Sequence, residues 1–169
     1  LRCQLCRYNC NSMTIALPSD THATPAKKIL IFGSSGMLGH MLIRVLSPNH
    51  HVVGTTTSQY NVQSPLARIL SRDNLIDLVD VHNLSTVEIA IRDAKPDVII
   101  NCVGLIKQKM GIINNADAIQ LNSLFPHQLA GICLKSNIRM IHFSTDCVFQ
   151  GIPGIKRVSD TPNATDLYG

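Results

Sequence analysis

Short runs of apolar residues recur along the chain, and between them apolar residues are spaced as on one face of a helix. Uninterrupted runs are typical of strands covered on both faces in a parallel sheet, whereas the helical spacing indicates amphipathic helices. The pattern predicts five strands, at residues 29–32, 52–55, 75–79, 97–103 and 139–143. It also predicts helices that begin near Ser35, after Pro65, at Ser85 and at Ala116.

Side-chain chemistry predicts two helix boundaries and one kink. Residues 85–88 have the S-x-x-E form of a capping box, and Pro96 cannot continue the helix that this box would start. Pro126 lies within the long helix predicted for residues 116–136, and we expect it to kink that helix. Strands that alternate with helices predict an α/β protein with a doubly wound parallel sheet, the three-layer αβα Rossmann fold.

Three glycines follow the first predicted strand at regular spacing, Gly33, Gly36 and Gly39. We expect the first to allow a tight turn, the second to let a pyrophosphate approach the backbone, and the third to let the next helix pack closely. The free N–H groups at the start of that helix favour a bound anion. A glycine triplet alone is also compatible with a plain turn. The strand before it and the helix after it favour a nucleotide-binding site.

Composition and charge limit the number of domains and the kinds of partner. The chain has 169 residues, of which 45% are hydrophobic, enough for one buried core. Residues 1–26 are polar and lack periodicity, so we expect a disordered lead-in followed by one domain at 27–169. Most of the formal net charge of +4 lies in residues 1–28, which leaves no basic surface for nucleic acid. No apolar run is long enough to cross a membrane, and a cytoplasmic location is expected.

The six cysteines fall into two groups. The first group lies in the lead-in, at Cys3, Cys6 and Cys10. Cys3 and Cys6, even with His22, would form only half of a zinc site, so we expect no metal there. The second group lies within apolar segments, as buried reduced thiols do, at Cys102, Cys133 and Cys147.

Six short motifs occur in one order along residues 28–169. They are GSSGMLG at 33–39, DV at 80–81, DVIINCVG at 97–104, LNSLFP at 121–126, FSTDCVFQG at 143–151 and DLYG at 166–169. No single motif is specific, but in this order and spacing the chain resembles the extended short-chain dehydrogenases/reductases. Among these it is most similar to the dTDP-4-dehydrorhamnose reductase branch.

This resemblance implies a site for NAD or NADP. The pyrophosphate would be held through backbone contacts by Gly33, Ser35, Gly36, Met37 and Leu38. The adenine would be bordered by Asp80 and Val81, and the adenosine ribose would lie over Asn101, Cys102, Val103 and Gly104. Related sequences often carry arginine at the position of Thr57. Because neither an acidic residue nor an arginine follows the second strand, we expect a loose choice of cofactor, with some use of NADPH.

The same resemblance implies the catalytic pair Thr145 and Tyr168. Thr145 would hydrogen-bond the reacting carbonyl, and Tyr168 would give or take the proton as hydride moves. Hydride transfer to a ketone leaves alkoxide character on oxygen, which needs a positioned donor and a proton source. The family places a lysine four residues after this tyrosine, whereas this chain ends at Gly169. The chain therefore resembles the cofactor-binding half of a longer enzyme, and we expect it to turn over poorly.

The function implied is NAD(P)-dependent reduction of a nucleotide-linked keto-sugar, and a homodimer is left open. A nucleotide-sugar epimerase or dehydratase stays open as an alternative, as does a non-catalytic regulatory subunit of the same fold. Each site residue also has a structural interpretation. Thr145 could cap its strand, Tyr168 could be a surface tyrosine, and Asn122 could hydrogen-bond the backbone.

Overall fold

The strands of the computed structural model, which describes residues 25–106, 114–151 and 154–169, form one parallel sheet. The strands are β1 (Lys28–Phe32), β2 (His51–Thr55), β3 (Leu75–Ile76), β4 (Val98–Asn101) and β5 (Arg139–His142). The helices are α1 (Met37–Leu46), α2 (Leu84–Ala94), α3 (Asn115–Ile119) and α4 (Phe125–Lys135). The spatial order is β3-β2-β1-β4-β5, so the direction of winding reverses between β1 and β4. Ligands of open α/β sheets bind beside this reversal.

Some predictions concern residues outside the described ranges. The expected lead-in falls outside them apart from residues 25 and 26, and so do Cys3, Cys6, Cys10 and His22. Residues 107–113, which follow the fourth strand, also lie outside them.

Two apolar clusters lie on opposite faces of the sheet. Leu30 and Phe32 of β1 pack into one cluster with α2 and α4, while Ile29 and Ile31 pack into the other with Ile43 of α1. Alternate residues of β1 therefore enter opposite cores, as an uninterrupted apolar run predicts for a strand covered on both faces. Because helices cover both faces of a parallel sheet, the predicted doubly wound, three-layer fold is confirmed.

The predicted start of α2 is wrong, and its predicted end is confirmed. The helix begins at Leu84, with Asn83 as the N-cap, and the Asn83 side chain accepts a hydrogen bond from the Ser85 N–H at 3.2 Å. Ser85 is already inside the first turn and cannot cap it. The helix ends at Ala94, where Lys95 takes a left-handed conformation with φ of 46° before Pro96.

The long helix predicted for residues 116–136 is interrupted just before Pro126. Between α3 and α4 lies one π-helical segment, Gln120–Leu124, so helical backbone runs from Asn115 to Lys135. Proline has no N–H to donate and its ring crowds the preceding turn, and a π-bulge is one way in which a helix accommodates such a break. The expected interruption therefore takes the form of a π turn, which contains Asn122.

Three strands end earlier than predicted, and β3 shows the reason most clearly. It contains only Leu75 and Ile76, because Leu78 has a positive φ of 58° that no regular strand continues. Asp77 leaves the strand and accepts hydrogen bonds from the Tyr60 N–H at 2.8 Å and from Arg72 at 3.3 Å. Beyond Ile76, the hydrogen bonds of the Asp77 side chain thus take the place of the backbone hydrogen bonds between paired strands.

Residues 143–169 follow β5 and contain one short 3₁₀ turn, Asp146–Val148, among the residues described there. This segment folds back on itself, because the N–H groups of Asn163 and Ala164 both donate to the Val148 carbonyl at 2.9 Å. In the parts of the chain that are described, no helix has the length and apolarity needed to cross a membrane.

Candidate dinucleotide site

The three glycines after β1 differ in what surrounds them. Gly33 has φ of 80°, and a Cβ there would lie 2.9 Å from the Cys102 carbonyl carbon. A Cβ on Gly39 would overlap the Gly33 carbonyl oxygen. At Gly36, however, a Cβ would meet only that same oxygen, at 3.3 Å. Gly33 and Gly39 are therefore required by packing, whereas the open side of Gly36 is available to a ligand.

The start of α1 is open to an anion. Gly36 is the N-cap in an extended conformation, and no side chain caps the helix. The first N–H groups of a helix have no intrahelical partner, so those that follow Gly36 are free to donate to a ligand. The flanking predicted residues Ser35, Met37 and Leu38 are all exposed, Met37 to 88%. The residues that were predicted to hold the pyrophosphate thus surround this open helix start.

A buried hydroxyl network, which sequence reasoning missed, supports the turn. The Ser34 side chain is fully buried; its Oγ donates to the Ile31 carbonyl at 2.9 Å and accepts from the Thr55 N–H at 3.0 Å. The Thr55 hydroxyl donates to the same carbonyl at 3.3 Å. The turn is therefore tied to the end of β2. A signal was available, because Thr55 ends one apolar strand and Ser34 lies two residues after another, where a buried polar side chain needs a partner.

A cleft of about 380 Å³ opens between the glycine turn and the segment after β2. Its lining is rich in hydroxyl and amide groups, contains no aspartate, glutamate, lysine or arginine, and includes Ser35, His40, Thr56, Thr57, Ser58 and Asn61. Thr57 therefore lies where the sequence places it, beside the end of β2. His40, which lines the same cleft, was not predicted there.

Asp80 and Val81 follow β3 but occupy different environments. Val81 is buried in the core beneath α2, while Asp80 is exposed. The Asp80 backbone is bound to the Thr86 hydroxyl, which donates to the Asp80 carbonyl at 2.8 Å, and the Asp80 side chain accepts from the His82 N–H at 2.9 Å. Both residues are thus held rigidly at the carboxyl edge of the sheet.

The residues after β4 pass directly beneath the glycine turn. Asn101 is 1% exposed, Cys102 and Val103 are half-buried, and Gly104 is exposed. Burial raises the pKa of the Cys102 thiol to about 11, so it stays protonated at neutral pH and is no nucleophile. The chemistry of this segment therefore lies in its backbone and in the Asn101 amide.

The side chain of Asn122 binds the backbone just beyond this segment. Its Oδ1 accepts from the Leu105 N–H at 2.8 Å, and its Nδ2 donates to the Leu105 carbonyl at 3.0 Å. A Cβ on Gly104 would lie 3.3 Å from the same Oδ1. The interpretation of Asn122 as a backbone-binding residue is confirmed.

Thr145 and Tyr168 lie in segments that contact each other. The Thr145 hydroxyl accepts from the Cys147 N–H at 3.2 Å and so caps the 3₁₀ turn. Gly169 packs on the Cys147 carbonyl so closely that a Cβ there would overlap it, which brings the Tyr168 backbone to the same turn. Among the described residues, no hydrogen bond joins the Thr145 and Tyr168 hydroxyls; the Tyr168 N–H donates to Asp166 at 3.1 Å.

The chain is similar to curated proteins that include a probable reductase and a subunit of a methionine adenosyltransferase. It is 28% identical over 140 residues to a probable low-salt glycan biosynthesis reductase of Haloferax volcanii, covering 82% of this chain and 44% of the relative. It is 29% identical over 148 residues to methionine adenosyltransferase 2 subunit beta of Bos taurus, covering 86% and 40%. The chain thus spans less than half the length of these curated relatives.

A solved structure and a family model also match the chain. The crystal structure of a hypothetical dTDP-4-dehydrorhamnose reductase from Sulfolobus tokodaii is 29% identical, with a TM-score of 0.67 over 84% of this chain and 48% of that one. The family model described as the RmlD substrate binding domain matches residues 27–169. The glycine turn, the parallel sheet and the motifs that follow β4 and β5 all lie within that match. The chain therefore belongs to the RmlD substrate binding domain family.

Proposed function

We propose that the chain carries the dinucleotide-binding part of an NAD(P)-dependent reductase of the dTDP-4-dehydrorhamnose reductase type. The observation that carries the proposal is the open face of Gly36 at the uncapped start of α1, beside two glycines that packing requires. A glycine turn that leads from a buried strand into a helix is suited to the pyrophosphate of a dinucleotide. The reductase names of two similar proteins support the same activity.

The residues fit a nicotinamide cofactor. In this proposal the backbone from Gly33 to Leu38 holds the pyrophosphate, Asn101 to Gly104 lie beneath the adenosine ribose, and Asp80 with Val81 border the adenine. Thr57 faces the ribose 2′ position from the cleft after β2. Since that cleft contains no carboxylate to accept from a 2′-OH and no arginine to meet a 2′-phosphate, either NAD or NADP can enter.

The proposed chemistry reduces the keto group of a nucleotide-linked sugar. When bound, NAD(P)H supplies the hydride. Thr145 Oγ1 donates to the substrate carbonyl oxygen, and the Tyr168 hydroxyl delivers the proton to the developing alkoxide. Both residues lie beside the same 3₁₀ turn, which gives this assignment its support. The Thr145 hydroxyl accepts from the Cys147 N–H through a lone pair, and its proton makes only a long contact of 3.5 Å with Asp146, which a substrate carbonyl would replace.

The test is oxidation of NADPH and NADH by the 169-residue chain in the presence of a dTDP-4-keto-6-deoxy sugar. We expect cofactor binding with slow, sugar-dependent oxidation, since Tyr168 lies in a segment held by local turn hydrogen bonds and its hydroxyl is not positioned by the packed core. Tyr168→Phe and Thr145→Val should each remove the sugar-dependent rate. Fast oxidation that survives both substitutions would show that these residues are not the catalytic pair.

A regulatory subunit is the second candidate, because one relative of similar identity is named as a subunit of methionine adenosyltransferase. The two candidates differ in their response to the sugar. A reductase binds the nucleotide sugar and oxidises the cofactor at a rate that depends on the sugar. A chain that binds dinucleotide tightly but shows neither effect would favour the subunit interpretation.

A further inference from the structure

A buried amide lies at the carboxyl end of the central strand β4. Asn101 is 1% exposed and faces the core beneath α4, where an amide without partners would be costly. Its Oδ1 accepts from the Val103 N–H at 3.0 Å. Its Nδ2 lies 3.2 Å from Nδ1 of His142, which is the paired residue on β5. The two contacts together fix which way the amide points.

These contacts also fix the protonation of His142. Since the Asn101 Oδ1 already accepts from Val103, its Nδ2 must donate, and His142 Nδ1 must be an unprotonated acceptor. This contact therefore requires the neutral form of His142, with its proton on Nε2. A second proton on the ring would place two donors face to face and break the bond to Asn101.

The surroundings of His142 favour the neutral form while leaving it accessible. A groove of about 440 Å³ between α4 and β5 opens onto the ring. Burial, and then the nearby His127 on α4, lower the pKa of His142 below its ordinary value of 6.5. The other groove residues carry no charge; they are Asn122, Ser123, Pro126, Ala130 and Met140. On β4 the facing group is the neutral Asn101.

The Asn101 amide is connected to the glycine turn through Val103. The Val103 nitrogen that it binds lies 3.0 Å from where a Cβ of Gly33 would be, and the Cys102 carbonyl carbon lies 2.9 Å from the same point. The turn and the segment after β4 thus pack without spare room. A shift of the Val103 backbone would therefore displace Gly33.

We propose that His142 is a positioning residue for the dinucleotide site, which holds Asn101 and Val103 so that the glycine turn keeps its binding shape. The inference rests on the proposed function, since it takes the glycine turn as the site of the cofactor. It adds a residue that touches no ligand and assigns it one chemical requirement, an acceptor nitrogen at Nδ1. Dinucleotide affinity then falls when His142 is protonated.

The test is titration of the full chain with NADH at pH about 8 and at steps down to about 4.5, because burial and His127 place the pKa of His142 below its ordinary value. NADH is the probe because it lacks the 2′-phosphate, whose own pKa near 6 would overlap. Wild type should lose between about twofold and tenfold in affinity at the lower pH, the range of one net hydrogen bond. His142→Asn, whose Oδ1 can replace Nδ1 and does not titrate, should bind as wild type does at high pH and lose nothing at low pH.

Two further variants separate positioning from folding. His142→Leu offers no acceptor and should bind NADH weakly at every pH, although it unfolds cooperatively. His127→Asn removes a neighbouring charge and should move the affinity midpoint of wild type to higher pH. Equal pH profiles for wild type and His142→Asn would overturn the proposal.

Nitrogen chemical shifts of His142 distinguish this inference from the proposed function. An unprotonated Nδ1 at pH about 8, with a Val103 amide shift that follows His142 titration, is expected without any ligand. If no variant binds NADH at any pH, the proposed function fails. The chemical shifts would still show whether protonation of His142 moves the Val103 amide. A protonated Nδ1 at high pH would contradict the inference.

Discussion

The glycine turn and residues 143–169 are built by different means, although both carry proposed site residues. The turn connects a strand with four buried apolar residues to a helix. Backbone atoms leave no space for a Cβ at Gly33 or Gly39, and buried hydroxyls tie the turn to β2. The described residues of the segment 143–169, by contrast, form mostly exposed turns joined by local hydrogen bonds, such as those of Thr145 and Asp166. The proposed nucleotide site therefore lies on the packed core, while the proposed reacting groups lie at the surface.

The largest expected effect comes from filling space at Gly39. Gly39→Ala places a methyl group against the Gly33 carbonyl oxygen, which belongs to backbone and cannot move aside easily. We expect a loss of several kcal/mol in the free energy of unfolding, measured in urea, because overpacking against backbone is among the severe mechanisms. Gly131→Ala is the matched control, since a Cβ there meets nothing within 4 Å. It should be neutral or stabilise α4 by up to about 1 kcal/mol. Equal losses of unfolding free energy in Gly39→Ala and Gly131→Ala would show that packing around Gly39 is not special.

A change at Thr57 tests the cleft beside the turn without disturbing its packing. Thr57→Arg introduces a cation where a 2′-phosphate would lie, and we expect the ratio of NADPH to NADH affinity to rise by about tenfold. Thr57→Gln, of similar length but neutral, should leave the ratio near that of wild type. Fluorescence of the reduced nicotinamide measures both affinities, and the chain contains no tryptophan to interfere. A wild-type preference of about a hundredfold for NADH would show that an acidic partner lies elsewhere.

Asp77 tests how the loop after β2 is attached. The Tyr60 N–H, and then the Arg72 charge, lower the pKa of Asp77 below its ordinary value of 3.8. A lowered folded-state pKa means that the ionised carboxylate contributes stability above pH 3.8, which is lost as pH falls through the folded-state value. Asp77→Asn should therefore lower the urea midpoint at neutral pH, and its difference from wild type should narrow in acid. If the urea midpoints of wild type and Asp77→Asn differ by the same amount down to low pH, ionisation of Asp77 is not the cause of the difference.

The smallest expected effect is at Tyr168. Because its segment is held by turn hydrogen bonds and not by the core, Tyr168→Phe should change neither NADPH affinity nor the free energy of unfolding by more than about 0.5 kcal/mol. The same substitution should remove sugar-dependent oxidation. Loss of cofactor binding in this variant would mean that the two regions are not independent.

The sheet and the glycine turn could be predicted because local patterns determine them. The apolar run of β1 and the spacing from Gly33 to Gly39 require no knowledge of distant residues. The network of Ser34 and Thr55 could not be specified, since two residues separated by 21 positions meet only after β1 and β2 pair. The Asn101 contact with His142 likewise depends on the register of β4 and β5.

The predicted start of α2 was wrong because the sequence offers two residues that could serve as its N-cap. Residues 85–88 match a capping box, but Asn83 stands two residues earlier and can accept from the Ser85 N–H, so the helix starts sooner. The π turn before Pro126 could not be predicted either. The sequence shows that a helical hydrogen bond is lost at the proline, but it does not show how the backbone adjusts. Tertiary contact through Asn122 and Leu105 accompanies that adjustment.

Calorimetric titration of dinucleotide into wild type and Gly36→Val tests most directly whether the glycine turn is the cofactor site. The Cβ of a valine there would press on the Gly33 carbonyl oxygen at 3.3 Å and otherwise meet open space, so we expect folded protein whose dinucleotide affinity has fallen by several kcal/mol. Gly131→Val, a glycine with open space around it, should bind as wild type does. Equal dinucleotide affinity in wild type and Gly36→Val would contradict the account.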